Sequence, residues 1–305
     1  MPGNCRPRTP DDRAAGPLLH PLPAGPGGTP VTTPSGPRPP FARRPWSWSR
    51  QCCGIAVDLG SARTRAWLSG RRTIIDVPTV TFQGAASACP VQRGCIVDTP
   101  GTARMLHRML GHRLPRCGRP VIILTTPVLG GVAYRTEARA AVEILRPRTV
   151  LTVPTARAAA VSVDADLIRP LLVVDLGAHL TEVTLLADGA VVDARHTALG
   201  IIDLDRLTPA ARIADAVVAM VTTMLEEDPG SQVSDALRRG ALLVGGGALR
   251  PDITYRLARL LDTPVRPVPA PHTAAVRGAA KLLQAVHTHP STAGSDVTRM
   301  RQGPV

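Results

Sequence analysis

Two aspartates, Asp58 and Asp175, each close an apolar run and open the same frame: Asp-Leu-Gly, three residues, Thr, then a second apolar run. A carboxylate at the end of a buried strand emerges into whatever cleft the strand ends border. Two such carboxylates facing one cleft suit a Mg²⁺ held through water, or a water positioned for attack on phosphate. The residues after each aspartate turn a hairpin, and their backbone N–H groups can converge on phosphate oxygens. Thr64 and Thr181 would add hydroxyl donors. A third turn, Gly245-Gly246-Gly247, lets the backbone approach a ligand closely, with a helix N-terminus nearby. Each turn alone reads as an ordinary tight turn. Two matched frames and the glycine run, in this order, point to a phosphate-binding cleft.

The elements that must position these groups alternate between strand and helix over residues 54–286. "GIAVDL" with "RAWLSG", and "LLVVDL" with "EVTLLA", read as two hairpins. "RTIIDVPTVTF" reads as one further strand, and "VIILTT" as a short strand buried on both faces. Thr102 is expected to cap a helix with Met105, Leu106, Met109 and Leu110 on one stripe, and Thr136 to cap a second with Ala141, Val142 and Leu145. An Ala-rich helix follows near 156–161. A long helix over about 209–226 carries Ile213, Ala216, Val217, Met220 and Met224, and two more helices lie near 252–261 and 272–286. Each half thus runs hairpin, strands, then helices, as an internally duplicated α/β domain does.

Composition narrows the class. Of 305 residues, 44% are hydrophobic and 19% charged, which suits one or two globular domains. The net charge of +13 raises the question of nucleic acid, but the arginines are scattered and Lys281 is the one lysine, so no nucleic-acid partner is expected. The six cysteines form no C-x-x-C pair, and their pattern suits reduced thiols. No apolar run is long enough to span a membrane. Residues 1–50 are rich in Pro, Gly, Ser, Thr and Arg and read as disordered, as does the tail from 287 to 305. Trp46 and Trp48, flanked by arginines, suit a membrane–water interface or a linker end. His107, His112, His196 and His272 have no acidic or cysteine partner at ligand spacing and read as surface or cap residues.

The order of these motifs resembles the actin-like ATPases, most closely the MreB family of bacterial rod-shape-determining proteins. "DLGSART" resembles that family's first phosphate loop and "VVDLGAHLTEV" its second. "TEARAAV" resembles the helix start with the water-activating glutamate, which falls on Glu137. "LLVGGGAL" resembles the adenosine-motif turn, and the stretch 263–283 the final strand and helix. The resemblance implies an α/β fold of two duplicated lobes, with ATP and Mg²⁺ in the cleft. By it, Asp58, Gly60, Ser61, Arg63, Thr64, Gly177, His179, Thr181, Gly245, Gly246 and Gly247 bind nucleotide. Asp58 and Asp175 hold Mg²⁺ through water, and Glu137 and Asp175 are catalytic. The lobes are expected over 51–165 and 166–270, with a helix over 271–286 packing back on the first.

Four departures from the family pattern matter. The second loop reads Ala178-His179-Leu180 where the family has glycines. A residue forced to φ > 0 there would cost roughly 1–2 kcal/mol, and His179 would either donate to phosphate or obstruct it. Only about 40 residues separate Asp203 from Gly245, where the family places a whole small subdomain, and the stretch 82–94 is short too, so both small subdomains are reduced or missing. The family's Gly-Gly after the second hairpin reads Gly200-Ile201. Extra residues precede Glu137. The chain is therefore expected to be an MreB-like cell-shape protein, cytoplasmic or at the inner membrane face, meeting itself or MreB-type filaments, with ATP binding and hydrolysis weak or lost. The alternative is a non-enzymatic adaptor docking on such filaments or on membrane-bound wall machinery. A sugar kinase of the same fold would need an inserted substrate domain for which there is no room.

Overall fold

The computed structural model describes residues 53–71, 73–83, 86–114, 119–204 and 210–288. The tails, Trp46 and Trp48 lie outside them. In chain order the strands of the first part are β1 (Gly54–Leu59), β2 (Arg63–Leu68), β3 (Ile74–Pro78), β4 (Thr81–Gln83), β5 (Ala86–Ala88), β6 (Val91–Gln92) and β7 (Cys95–Ile96). Helix α1 (Thr99–Leu110), β8 (Val121–Thr126), α2 (Gly131–Val142), β9 (Thr149–Pro154) and α3 (Thr155–Ser162) follow. The second part contains β10 (Leu171–Leu176), β11 (Thr181–Ala187), β12 (Ala190–Thr197), α4 (Ala210–Glu226), α5 (Gln232–Arg239), β13 (Ala241–Val244), α6 (Pro251–Leu261), β14 (Val265–Pro267) and α7 (Ala274–Thr288).

Two five-stranded sheets result, ordered β3-β2-β1-β8-β9 and β12-β11-β10-β13-β14. Their directions match strand for strand. The first three are antiparallel, and the last two run parallel to the central one. β1 and β10 hold the middle, and their apolar runs are buried except at the aspartate. A central strand covered on both faces needs that unbroken apolar run.

Helices α1 and α2 bury Leu106, Leu110, Ala141 and Val142 against one face of the first sheet. Helices α4, α5 and α6 bury Ile213, Val217, Met224, Val233 and Leu257 against one face of the second. The inner faces are covered by exchange. α3, which follows the last strand of the first sheet, packs Ala156, Ala159 and Ala160 on Leu171 and Val173 of the second. α7, which follows the last strand of the second sheet, packs Val276, Ala279 and Leu283 on Ala56 and Ile123 of the first. α3 and α7 cross where Gly278 meets Ala158.

Several local expectations are corrected. α1 is capped by Asp98, whose Oδ1 accepts from the Gly101 amide at 2.8 Å, and Thr102 lies inside the helix. α2 starts at Gly131, so Thr136 is interior. The strand expected over 72–82 breaks after Pro78, where Thr79 turns its hydroxyl to the Gly60 carbonyl at 2.7 Å. Proline has no N–H to continue a ladder. Between β3 and α1 the described residues form two two-stranded sheets, β4-β5 and β6-β7.

Candidate functional site

The duplicated frame places both aspartates on the wall of one cavity of about 250 Å³. Gly60, Ser61, Arg63, Gly177, Gly245 and Gly246 line it as well. The two turns are built alike. A Cβ on Gly60 would fall 2.7 Å from the Arg63 carbonyl oxygen, and one on Gly177 would fall 2.7 Å from that of Leu180. Glycine is needed at each because the chain folds back on itself within four residues.

The loss of glycine at 178–180 is without strain. None of these residues has a left-handed backbone, and the turn closes with the Gly177 amide donating to the Leu180 carbonyl at 2.8 Å. The expected strain of roughly 1–2 kcal/mol therefore does not arise. Ala178 lines the cavity and His179 does not.

The two threonines have a different role from the one expected. Thr64 is fully buried and shares a 2.8 Å hydrogen bond with Thr79, which itself donates to the Gly60 carbonyl. Thr181, also buried, donates to the Leu199 carbonyl at 2.8 Å. Both buttress the turns from behind, and neither lines the cavity. Gly247 is likewise off the wall, since a Cβ there would meet Leu176 and Ile201 at 2.6 and 2.7 Å.

Glu137 is not brought to the cavity. It accepts from the Thr99 hydroxyl at 2.5 Å, at the start of α1. One helical turn earlier, Tyr134 takes the wall position. Its ring is buried and its hydroxyl donates to the Leu59 carbonyl at 3.2 Å. Burial, with the charges of Asp58 and Cys95, pushes the phenol above its ordinary pKa, so it stays neutral and offers no base. Because Gly131 opens α2, position 134 faces inward and position 137 faces α1.

Charge in the cavity is lopsided. Asp58 accepts from Thr125 at 2.7 Å, yet burial raises its pKa. Asp175 is pushed up to about 7 by burial and by the charges of Glu182 and Asp58. Glu182, cross-strand from Asp175, is 3% exposed and also raised by burial, against the lowering effect of the Leu129 and Val128 amides and His196. The cations on the wall, Arg63 and Arg65, are both taken by Asp76 at 2.7 and 3.2 Å. Such a site gains from a divalent cation. Among the described residues no three His, Cys, Asp or Glu side chains converge as direct metal ligands.

The wall thus suits the phosphate-and-cation half of a Mg-nucleotide, with Gly245 completing the cradle. A Cβ at 245 would sit 2.4 Å from the Asp175 carboxylate. The nucleoside half fits less well. Ile201 lies over the glycine run, its side-chain atoms 3.5 and 2.7 Å from where Cβ atoms of Gly246 and Gly247 would be. Besides Tyr134, two residues escaped sequence reasoning. Glu182 was detectable as the position that duplicates Arg65. His272, read as a surface or cap residue, lines the cavity, and its buried Nδ1 has no hydrogen-bond partner among the described residues.

Residues 205–291 match the family model "MreB/Mbl protein". The cell shape-determining protein MreB of Haemophilus influenzae is 34% identical over 82 residues, 27% of this chain and 23% of that protein. The Pasteurella multocida MreB matches equally, so the matched segment spans about a quarter of these relatives' length. MreB5 of Spiroplasma citri bound to ADP superposes with a TM-score of 0.68 at 14% identity, over 79% of this chain and all of that one. The MamK double helical filament gives 0.65 at 14%, with the same coverage. The chain has the actin-like ATPase fold and resembles MreB in sequence toward its C-terminus.

Proposed function

We propose that this MreB-like chain of actin-like fold is a cytoskeletal, cell-shape component that binds Mg-nucleotide weakly and does not hydrolyse it. The observation that carries this reading is Tyr134 on the cavity wall with Glu137 turned away to Thr99. A water beside a bound phosphate would find no base on α2. The two solved MreB5 structures hold ADP and AMPPNP, which supports a nucleotide as the ligand here. Asp58 and Asp175 would hold the cation through water, and the turns at 60–63 and 177–180 would face the phosphates.

Weak binding follows from Ile201. Cutting this side chain back to glycine uncovers the backbone of Gly246 on the cavity wall, so Ile201→Gly is expected to tighten Mg-ADP binding roughly tenfold. Calorimetric titration of both proteins checks this, and unchanged affinity would remove Ile201 as the obstruction. Wild-type affinity tighter than roughly micromolar would contradict the weak site itself.

The second reading is an adaptor that docks on MreB-type filaments or membrane-bound wall machinery. It is favoured by the exposed Ile202 and Leu249, at 61% and 59%. Contact with the inner membrane face would run through Trp46 and Trp48. Among the described residues no helix is long and apolar enough to cross a membrane. Pelleting separates the readings. Sedimentation of the chain alone with Mg-ATP supports a filament subunit, and sedimentation only together with an MreB-type filament supports the adaptor. Failure of both would discard the cytoskeletal role.

A further inference from the structure

Glu182 lies on β11 of the second sheet, yet its hydrogen bonds go to the first. Its carboxylate accepts from the Val128 amide at 3.0 and 3.2 Å and from the Leu129 amide at 3.2 Å. These amides belong to the loop between β8 and α2. Two successive N–H groups converging on one anion is the arrangement by which backbone nests take phosphate or carboxylate. The duplication does not require an acid here. The matching position of the first sheet, cross-strand from Asp58, is Arg65, and it pairs with Asp76.

A second tie between the halves lies at the turn of the β6-β7 hairpin. Arg93 donates to the Asp203 carboxylate at 2.8 Å and also to the Ala198 carbonyl. Burial pushes the Asp203 carboxyl up, but the Gly200 amide, Arg93 and His179 outweigh it and hold it below its ordinary range. Arg93 is 50% exposed, and ion pairs in water contribute little. Hydrogen bonds to a desolvated carboxylate contribute more, so the tie made by Glu182 dominates.

We propose that Glu182 is an internal anion that closes the cleft without a ligand, seated on amides that a terminal phosphate would otherwise take. The closure stands on the hydrogen bonds alone, whereas the phosphate comparison rests on the nucleotide reading above. It makes Glu182 an autoinhibitory contact, because a ligand's last phosphate must displace it.

The test is backbone amide hydrogen exchange on the full chain with no nucleotide present. The wild type is expected to protect the Val128 and Leu129 amides. Glu182→Ala should speed their exchange roughly 10–100-fold while the β10 amides keep their protection. Inorganic phosphate added to this variant should slow the two amides again. Equal protection in wild type and variant overturns the latch, and exchange unmoved by phosphate overturns the anion site. If Glu182→Ala loses β10 protection as well, Glu182→Gln decides, because it keeps the volume and one acceptor. Faster exchange at 128 and 129 with β10 intact supports the latch, and unchanged exchange overturns it. Since these readouts use no nucleotide, a failure of ATP to bind leaves them standing.

Discussion

Gly278→Ala is expected to lower the stability of this chain by about 3 kcal/mol or more, at the upper end of what overpacking costs. The added Cβ would fall 1.6 Å from the Ala158 carbonyl oxygen and 2.4 Å from its carbon. A flexible side chain could swing away, but helix backbone cannot, so α3 and α7 must separate. Each helix is committed elsewhere, α3 to the second sheet and α7 to the first. Their separation therefore disturbs both inner cores at once. Urea unfolding measures the effect, with Gly246→Ala as the control. At 246 the nearest atom would be the Ile201 Cδ1 at 3.5 Å, an ordinary contact, so stability should stay within about 0.5 kcal/mol. Equal stability of the Gly278→Ala protein and the wild type would mean that the helices do not cross this closely.

The second large effect is in pH dependence. The folded pKa of Asp175, about 7, lies above the ordinary carboxylate value of 3.8. The folded state therefore holds this proton more tightly than the unfolded chain does. Its contribution is fully present below about pH 4 and is lost as pH rises toward 7, by an amount on the order of a few kcal/mol. Asp175→Asn keeps the shape without the charge. The gap in stability between variant and wild type should widen in the variant's favour from pH 4 to 8, as read from urea midpoints. Asp58 and Glu182, raised for the same reason, push in the same direction and remain in the variant. Mg²⁺ should narrow the gap by favouring the ionised form. A gap independent of pH would mean that Asp175 is not desolvated in the closed cavity.

Much of this was readable before any coordinates, and the reasons are local. An apolar run ending in Asp-Leu-Gly appears twice, and both copies form a central strand whose carboxylate reaches one cavity. A two-residue strand such as β6 carries too little periodicity to register, and the eight-residue α5 is mostly polar, with only Val233 and Ala236 buried. Thr64 and Thr181 looked like phosphate donors because a hydroxyl near a turn has several partners within reach. Only the fold shows that those partners are Thr79 and the Leu199 carbonyl. Glu137 and Tyr134 lie one turn apart on the same helix, so the choice between them depends on where Gly131 opens α2. A glutamate on an alternating strand ordinarily faces water. Glu182 is buried because a loop of the other half supplies its hydrogen bonds, and no spacing along one strand reveals that.

The most direct test of the central claim is phosphate release from Mg-ATP by the purified full chain, followed over many hours beside a nucleotide-binding titration. The expected result is saturable, weak binding with release no faster than in buffer, unchanged by Glu137→Ala. Steady release that disappears in the Glu137→Ala protein would contradict it, because the glutamate would then have to reach the cavity wall that Tyr134 occupies.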